Sequence, residues 1–306
     1  MRVRPAAALA GALLGMSTLF LPATALARPA TASASDTLTA RAATGRAHAP
    51  VAVAHRGASA YAPENTLAAV DEAAERGIRW VENDVQRTKD GELIIMHDTT
   101  LSRTTDVEQV FPGRAPWKVS DFTAEEIEQL DAGSWFGPEF AGEPVPTLED
   151  YMETVEDNGQ SLLMELKAPE LYPGVERQTL RLLRREGWLD RPHVKRRLII
   201  QSFSAGSVRA VHELRPEVRT GFLGAPAVAD LPTYAAFADQ INPNHKAVTP
   251  EYVAAVHAVR GAHGRPLQVF TWTVDDGPTA VKLAWAGVDG IITNKPDVIR
   301  DALDDA

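Results

Sequence analysis

From Val51 onward the chain switches repeatedly between two hydrophobic patterns. Short continuous apolar runs, bounded by Gly, Pro, Asn or Asp, predict buried strands. They fall at Val51–Ala54, 79–85, 93–96, Ser161–Leu166, Leu198–Ser202, Arg219–Leu223, Gln240–Asn242, 267–274 and 288–293. Between them the apolar residues recur at helical spacing, as Leu67, Val70 and Ala74 do within 64–76. Further helices are predicted over 147–158, 175–186, Ala205–Leu214, a segment near Tyr234, 250–260, Gly277–Ala286 and 296–303. Thr147 is a good N-cap with Asp150 three residues on, and Gly187 supplies a stop.

Repeated β-α units imply parallel strands joined by right-handed crossovers. The predicted fold is therefore α/β, a TIM (β/α)8 barrel over residues 51–306. A doubly wound open sheet is the alternative. The barrel is favoured because polar residues stand at the C-terminal ends of several different strands, where barrel active sites are built. One stretch breaks the repeat. Residues 99–146, after the second strand region, are too many for a βα loop and predict a small inserted subdomain over the barrel mouth. Its Trp117, Trp135 and Phe136 are expected to pack onto the barrel, with stacking on a substrate as the alternative.

The chain has 306 residues, and a barrel uses roughly 250, so no second domain is needed. The first residues read differently. Arg2 and Arg4 precede an apolar run over 6–21, and Ala25-Leu26-Ala27 forms a small-x-small cleavage pattern. Residues 1–27 are expected to be a secretory signal peptide, so the mature chain is secreted and has no stable membrane insertion. Residues 28–50, rich in Ala, Thr, Ser and Pro, are expected to be a disordered leader. The absence of cysteine excludes thiol catalysis and cysteine-ligated zinc. A net charge of −10 argues against a nucleic-acid partner.

The chemistry concentrates at strand ends. Residues two apart on a strand face the same way, so Glu82 and Asp84 point together, as do Glu165 and Lys167. Three convergent carboxylates repel one another and are costly to desolvate. One hard divalent cation, Ca²⁺ or Mg²⁺, resolves this, since both accept carboxylate oxygens. Lys167 then balances charge or holds a phosphate oxygen. Any one of these carboxylates alone reads as a surface salt bridge; the set together does not. His55 and His97 follow apolar runs and flank the cluster, as an acid/base pair for metal-assisted attack on a phosphodiester would. Arg56 offers a planar guanidinium suited to phosphate, and Gly57 is expected to let the backbone approach a ligand.

These residues stand in a longer series of motifs. His55-Arg56-Gly57 is followed by Pro63-Glu64-Asn65-Thr66, Glu82-Asn83-Asp84-Val85, Thr88-Lys89-Asp90-Gly91-Glu92-Leu93, His97-Asp98, Leu101-Ser102-Arg103-Thr104-Thr105 and Glu165-Leu166-Lys167. Val269-Phe270-Thr271-Trp272-Thr273-Val274 and the run from Gly287 to Pro296 complete it. In that order, from about Val51 to Asp301, the chain resembles the glycerophosphodiester phosphodiesterase family. Asn83 departs from the usual residue between the two acids, and its side chain is expected to face away from the site. The resemblance implies a TIM barrel, metal ligands Glu82, Asp84 and Glu165, and acid/base residues His55 and His97. It further implies phosphate contacts from Arg56 and Lys167, and Trp272 as a wall of a glycerol pocket. Glu64 is expected either to serve a helix N-terminus or to stand beside the metal. Asn294-Lys295 is expected to be a surface turn, with phosphate binding as the alternative.

The resemblance implies hydrolysis of a small-molecule glycerophosphodiester to glycerol 3-phosphate and an alcohol. In similar enzymes the glycerol 2-hydroxyl is proposed to attack first, giving a cyclic phosphate; direct attack by water is the competing route. Two other functions compete. A phospholipase D-like or sphingomyelinase-like enzyme would act on intact lipid and want an apolar rim. A non-catalytic glycerophosphodiester-binding barrel would keep the fold without turnover, but every acid/base and ligand position is filled here.

Overall fold

The computed structural model describes residues 49–306. The signal peptide and all but the last two leader residues lie outside the described residues.

The described residues contain nine strands: β1 (Val51–Ala54), β2 (Trp80–Arg87), β3 (Leu93–Ile95), β4 (Ser161–Leu166), β5 (Leu198–Ser202), β6 (Arg219–Leu223), β7 (Gln240–Asn242), β8 (Gln268–Thr271) and β9 (Gly290–Thr293). All but β3 form one parallel ring in the order β1-β2-β4-β5-β6-β7-β8-β9, and β9 pairs with β1 to close it. The crossover helices are α1 (Leu67–Glu75), α2 (Leu148–Asp157), α3 (Val175–Arg185), α4 (Ala205–Leu214), α5 (Leu231–Ala235), α6 (Pro250–His257) and α7 (Gly277–Ala286), with α8 (Pro296–Asp304) closing the chain. This is the predicted (β/α)8 barrel.

Strand alternation separates two apolar layers. Val53, Leu163, Ile199, Phe270 and Ile292 fill the barrel interior, with Val51, Trp80 and Trp272 beside them. The opposite strand faces, such as Val81, Val85, Leu162 and Met164, pack under Val70, Ala73, Tyr151, Val155 and Leu183 of the helices. The runs look continuously apolar because both faces are buried.

Four local expectations change. The run at 93–96 forms β3, which pairs antiparallel to β2 outside the ring. The segment 88–92 is a hairpin connection, too short for a parallel crossover. The helix foreseen over 64–76 starts at Leu67, where Thr66 accepts from Ala69 N at 3.3 Å. Glu64 therefore precedes the helix and does not serve its N-terminus. The strand foreseen over 267–274 ends at Thr271, and an unforeseen helical turn, Arg191–Arg196, is capped by Asp190.

Residues 99–146 carry short helical turns around a core of Leu101, Val107, Val119, Phe122, Ile127, Leu130, Ala132 and Val145 that is shared with Ile94 and Met96 of the β3 run, with Trp117 packed against it. Trp135, Phe136 and Phe140 meet edge to face, with centroids 5.6 and 5.5 Å apart. Trp117 thus packs on a core that joins the insertion to the β3 run, and Trp135 and Phe136 pack on one another and on Phe140. Lys89 N donates to Phe122 O at 2.8 Å and Ala68 N to Glu143 Oε1 at 3.1 Å, seating the insertion beside the C-terminal end of β2.

Asn83 faces outward, opposite in direction to Glu82 and Asp84, and is fully buried. Neither polar atom of its carboxamide has a hydrogen-bond partner. Burying such groups unpaired costs about 1–3 kcal/mol. Asn83→Val should therefore raise unfolding stability by about that amount in urea titration, and a loss of stability would contradict the assignment.

Candidate active site

Strand register builds the acidic cluster. In the β2–β4 pair, Asp84 lies opposite Glu165, and Glu82 precedes Asp84 by two residues on the same face. One ligand oxygen from each of the three lies within 4.8 Å of the other two, and all three residues are buried. Lys167 Nζ stands 3.0 Å from Glu165 Oε1 and 3.3 Å from Asp84 Oδ1. Arg56 Nε stands 3.3 Å from Asp84 Oδ2, and Arg56 N donates to Glu82 Oε2 at 3.0 Å. Asn65 Nδ2 adds a hydrogen bond to Asp84 Oδ2 at 2.9 Å.

The electrostatics follow from this crowding. Burial would raise the Asp84 carboxyl, but Lys167, then Arg56, outweigh it and hold the group well below its ordinary range. Burial pushes Glu82 well up, and the charges of Asp84 and Glu165 push it further. Burial and then Asp84 push Glu165 up to about 8, against the pull of Lys167. Two positive side chains thus keep one carboxylate ionised and leave two others short of compensation. Three hard oxygen donors under that deficit fit a divalent cation, and Glu82, Asp84 and Glu165 could hold one.

Both histidines reach the same cleft. A cavity of about 140 Å³ is lined by His55, Arg56, Glu82, His97, Glu165, Lys167 and Trp272, among others. His55 follows β1, and its Nδ1 lies 2.7 Å from Asn294 Oδ1. Burial, then the Arg56 charge, lower its imidazole to about 4, despite Asn294 and Asp84. His97 follows β3, and its Nδ1 lies 2.6 Å from Asp98 Oδ1. Burial lowers His97 as well, while Asp84 and Asp98 pull the other way.

Arg56 takes a left-handed backbone, φ 58°, which turns its N–H toward Glu82. Gly57 follows at φ 79°, where a Cβ would fall 2.6 Å from Ala69. Its close approach is therefore to α1 and not to a ligand, which corrects the expectation for this glycine.

Glu64 joins the two sides of the site. It accepts from Arg56 Nη1 at 2.8 Å and from Arg103 Nη2 and Nη1 at 2.7 and 2.9 Å. Arg103 Nε also donates to Asp98 Oδ2 at 2.6 Å. The hydrogen bond from Arg103 holds the Asp98 carboxyl below its ordinary range. A chain of contacts thus runs Arg56–Glu64–Arg103–Asp98–His97. Asp98 and Arg103 stand within the sequence motifs, where nothing local marks a part for them beyond the adjacency of Asp98 to His97.

Trp272 lies across the cleft, its Nε1 donating to Asn242 O at 2.9 Å. Phe203, which the sequence did not single out, meets it edge to face at 5.5 Å. Asn294 is half-buried and bonded to His55, so only Lys295 matches the expected surface turn.

Fold and site together define a barrel enzyme, with acid–base groups around a site that suits an anion and a cation. Residues 55–298 match the model of the glycerophosphoryl diester phosphodiesterase family. A glycerophosphodiester phosphodiesterase of Caldanaerobacter subterraneus subsp. tengcongensis is 37% identical over 251 residues, covering 81% of this chain and 95% of that one. One from Bacillus subtilis is 34% identical over 265 residues, covering 81% and 84%. Among solved structures, an Oleispira antarctica phosphodiesterase in complex with the product sn-glycerol-3-phosphate superposes with a TM-score of 0.70 at 30% identity, covering 83% and 97%. The chain belongs to the glycerophosphoryl diester phosphodiesterase family.

The raised carboxyls have a measurable consequence. In the cation-free protein Glu165, raised to about 8, holds its proton at pH 7, and burial pushes Glu82 in the same direction; coordination must expel the protons held there. Adding Mg²⁺ or Ca²⁺ should therefore release protons, read by calorimetry in buffers of different ionisation enthalpy. The release should shrink as pH rises through about 8, where Glu165 ionises without a cation. Tight binding at pH 7 with no proton release would contradict this picture.

Proposed function

We propose that this protein is a secreted, divalent-cation-dependent glycerophosphodiester phosphodiesterase, yielding glycerol 3-phosphate and an alcohol. One observation carries the reading: Glu82, Glu165, Arg56, Lys167 and both imidazoles line a single cleft, with the buried Asp84 completing the carboxylate cluster beside it. The relatives named as glycerophosphodiester phosphodiesterases, and the neighbour with bound sn-glycerol-3-phosphate, support the substrate class. Secretion rests on the sequence of residues 1–27. Among the described residues, no helix is long and apolar enough to cross a membrane.

A bound Ca²⁺ or Mg²⁺ would hold phosphoryl oxygens and offset the charge that builds on them. Arg56 and Lys167 add fixed positive charge at the same place. His55, neutral at pH 7, takes the proton of the attacking hydroxyl. That hydroxyl is the 2-hydroxyl of the glycerol arm, forming a cyclic phosphate, with a water molecule as the competing nucleophile. His97 protonates the leaving alcohol, and the Asp98 carboxylate behind it favours the imidazolium form that donates. The two imidazoles exchange these parts when water opens the cyclic phosphate. Trp272 walls the glycerol side of the cleft.

A second reading, action on intact lipid, has one observation in its favour. Leu171, Phe203 and Val228 are exposed, each on a loop that follows a neighbouring strand, β4, β5 or β6.

A substrate panel tests the proposal. Glycerophosphocholine and glycerophosphoglycerol should be cleaved, with EDTA abolishing turnover and Mg²⁺ or Ca²⁺ restoring it. His55→Ala and His97→Ala should each lose ~10²–10⁴ in kcat. Preference for long-chain phospholipid would favour the second reading. Binding without turnover would make this a non-catalytic barrel.

A further inference from the structure

The side chain behind His55 is an amide, and that amide has a fixed orientation. Asn294 Nδ2 lies 2.8 Å from Asp275 Oδ2, and Asn294 N donates to Asp275 Oδ1 at 2.8 Å. Thr293 Oγ1 donates to the same Oδ1 at 3.1 Å. A carboxylate only accepts, so the NH₂ of Asn294 must face Asp275 and its carbonyl oxygen must face His55. That oxygen has no hydrogen to give. His55 Nδ1, 2.7 Å away, must therefore be the donor. A neutral imidazole protonated at Nδ1 keeps its lone pair on Nε2.

The backbone holds the pair in place. His55 N donates to Thr293 O at 2.8 Å, and Ala60 N to Asn294 O at 3.0 Å, tying the mouth ends of β1 and β9 together. Ser59 Oγ stands 2.9 Å from Asn294 Oδ1 and 2.7 Å from His55 O, within reach of either acceptor. Asp275 sits between β8 and α7. Three consecutive mouth segments, after β8, β9 and β1, thus converge on one imidazole.

We propose that Asp275 and Asn294 are positioning residues for the phosphodiesterase reaction: Asp275 orients the Asn294 amide, and Asn294 locks His55 in the tautomer whose Nε2 can accept a proton. This rests on the reading of His55 as a base. It differs from the arrangement at His97, where a carboxylate supported by Arg103 stands directly behind the ring. The amide carries no net charge, so it sets the tautomer of His55 without placing a full negative charge against the ring as Asp98 does at His97.

The test uses the full protein labelled with ¹⁵N-histidine, with His55 assigned from a His55→Gln spectrum. At neutral pH the wild-type ring should show a protonated Nδ1 and an unprotonated Nε2. Asn294→Ala should abolish that single tautomer. It should also lower kcat by at least about tenfold but by no more than the ~10²–10⁴ that a general base supplies, with KM changing much less. Asn294→Asp should also fail, because it sets two carboxylates side by side. The exchanged double variant, Asp275→Asn with Asn294→Asp, restores one donor and one acceptor. It should recover kcat to within about threefold of wild type.

A wild-type His55 protonated at Nε2 overturns the proposal. So does an Asn294→Ala protein with near-normal kcat, or an exchanged pair no better than Asn294→Asp alone. A wild type that turns over no phosphodiester would sink the functional reading, yet the tautomer would still be decided by the spectrum.

Discussion

Three carboxyl groups share one small, buried region where β2 and β4 meet, and the rest of the site is arranged around that repulsion. Strand register forces the crowding, since Asp84 lies directly across from Glu165 and Glu82 points the same way. Burial removes the water that would screen it. Two cations from the protein, Arg56 and Lys167, settle one carboxylate and leave the other two high. A fold that tolerates this deficit is keeping a place for more positive charge. The same deficit suits a reaction in which an anionic phosphodiester and a cation arrive together.

The two imidazoles are supported differently, and the difference suits the parts proposed for them. His97 has a carboxylate behind it, gripped by Arg103, which also reaches Glu64 and through it Arg56. Residues at the start of the inserted segment thereby connect to the floor of the acidic cluster. His55 has a neutral amide behind it, aligned by a carboxylate one step further away. A base needs a free lone pair and a fixed ring; an acid gains from a partner that favours its charged form. The barrel supplies these partners from separate loops, so changing one loop can retune one histidine.

Much of this was legible in the sequence because it depends on local periodicity. Two-residue spacing on a strand was enough to pair Glu82 with Asp84 and Glu165 with Lys167. Runs buried on both faces announced a barrel. What was not legible depends on long-range placement. Asn294 is 239 residues from His55, and no local pattern marks it as that ring's partner. Helical spacing extends back through Glu64 and predicts it on the helix, yet Thr66 caps the chain first. The strand at 93–96 was seen, but only its short link to β2 dictates that it runs backward. From its sequence position Gly57 is expected to make room for a ligand. Its neighbour is in fact α1, which a one-dimensional pattern could not foresee.

The most direct test of the account is where a cation binds. Crystals grown with Mn²⁺, a stand-in for the hard divalent ions, would reveal the ion by its anomalous signal. The account predicts one strong peak about 2.0–2.6 Å from oxygens of Glu82, Asp84 and Glu165 together. A peak elsewhere, or none at these three residues in a catalytically active preparation, would contradict it.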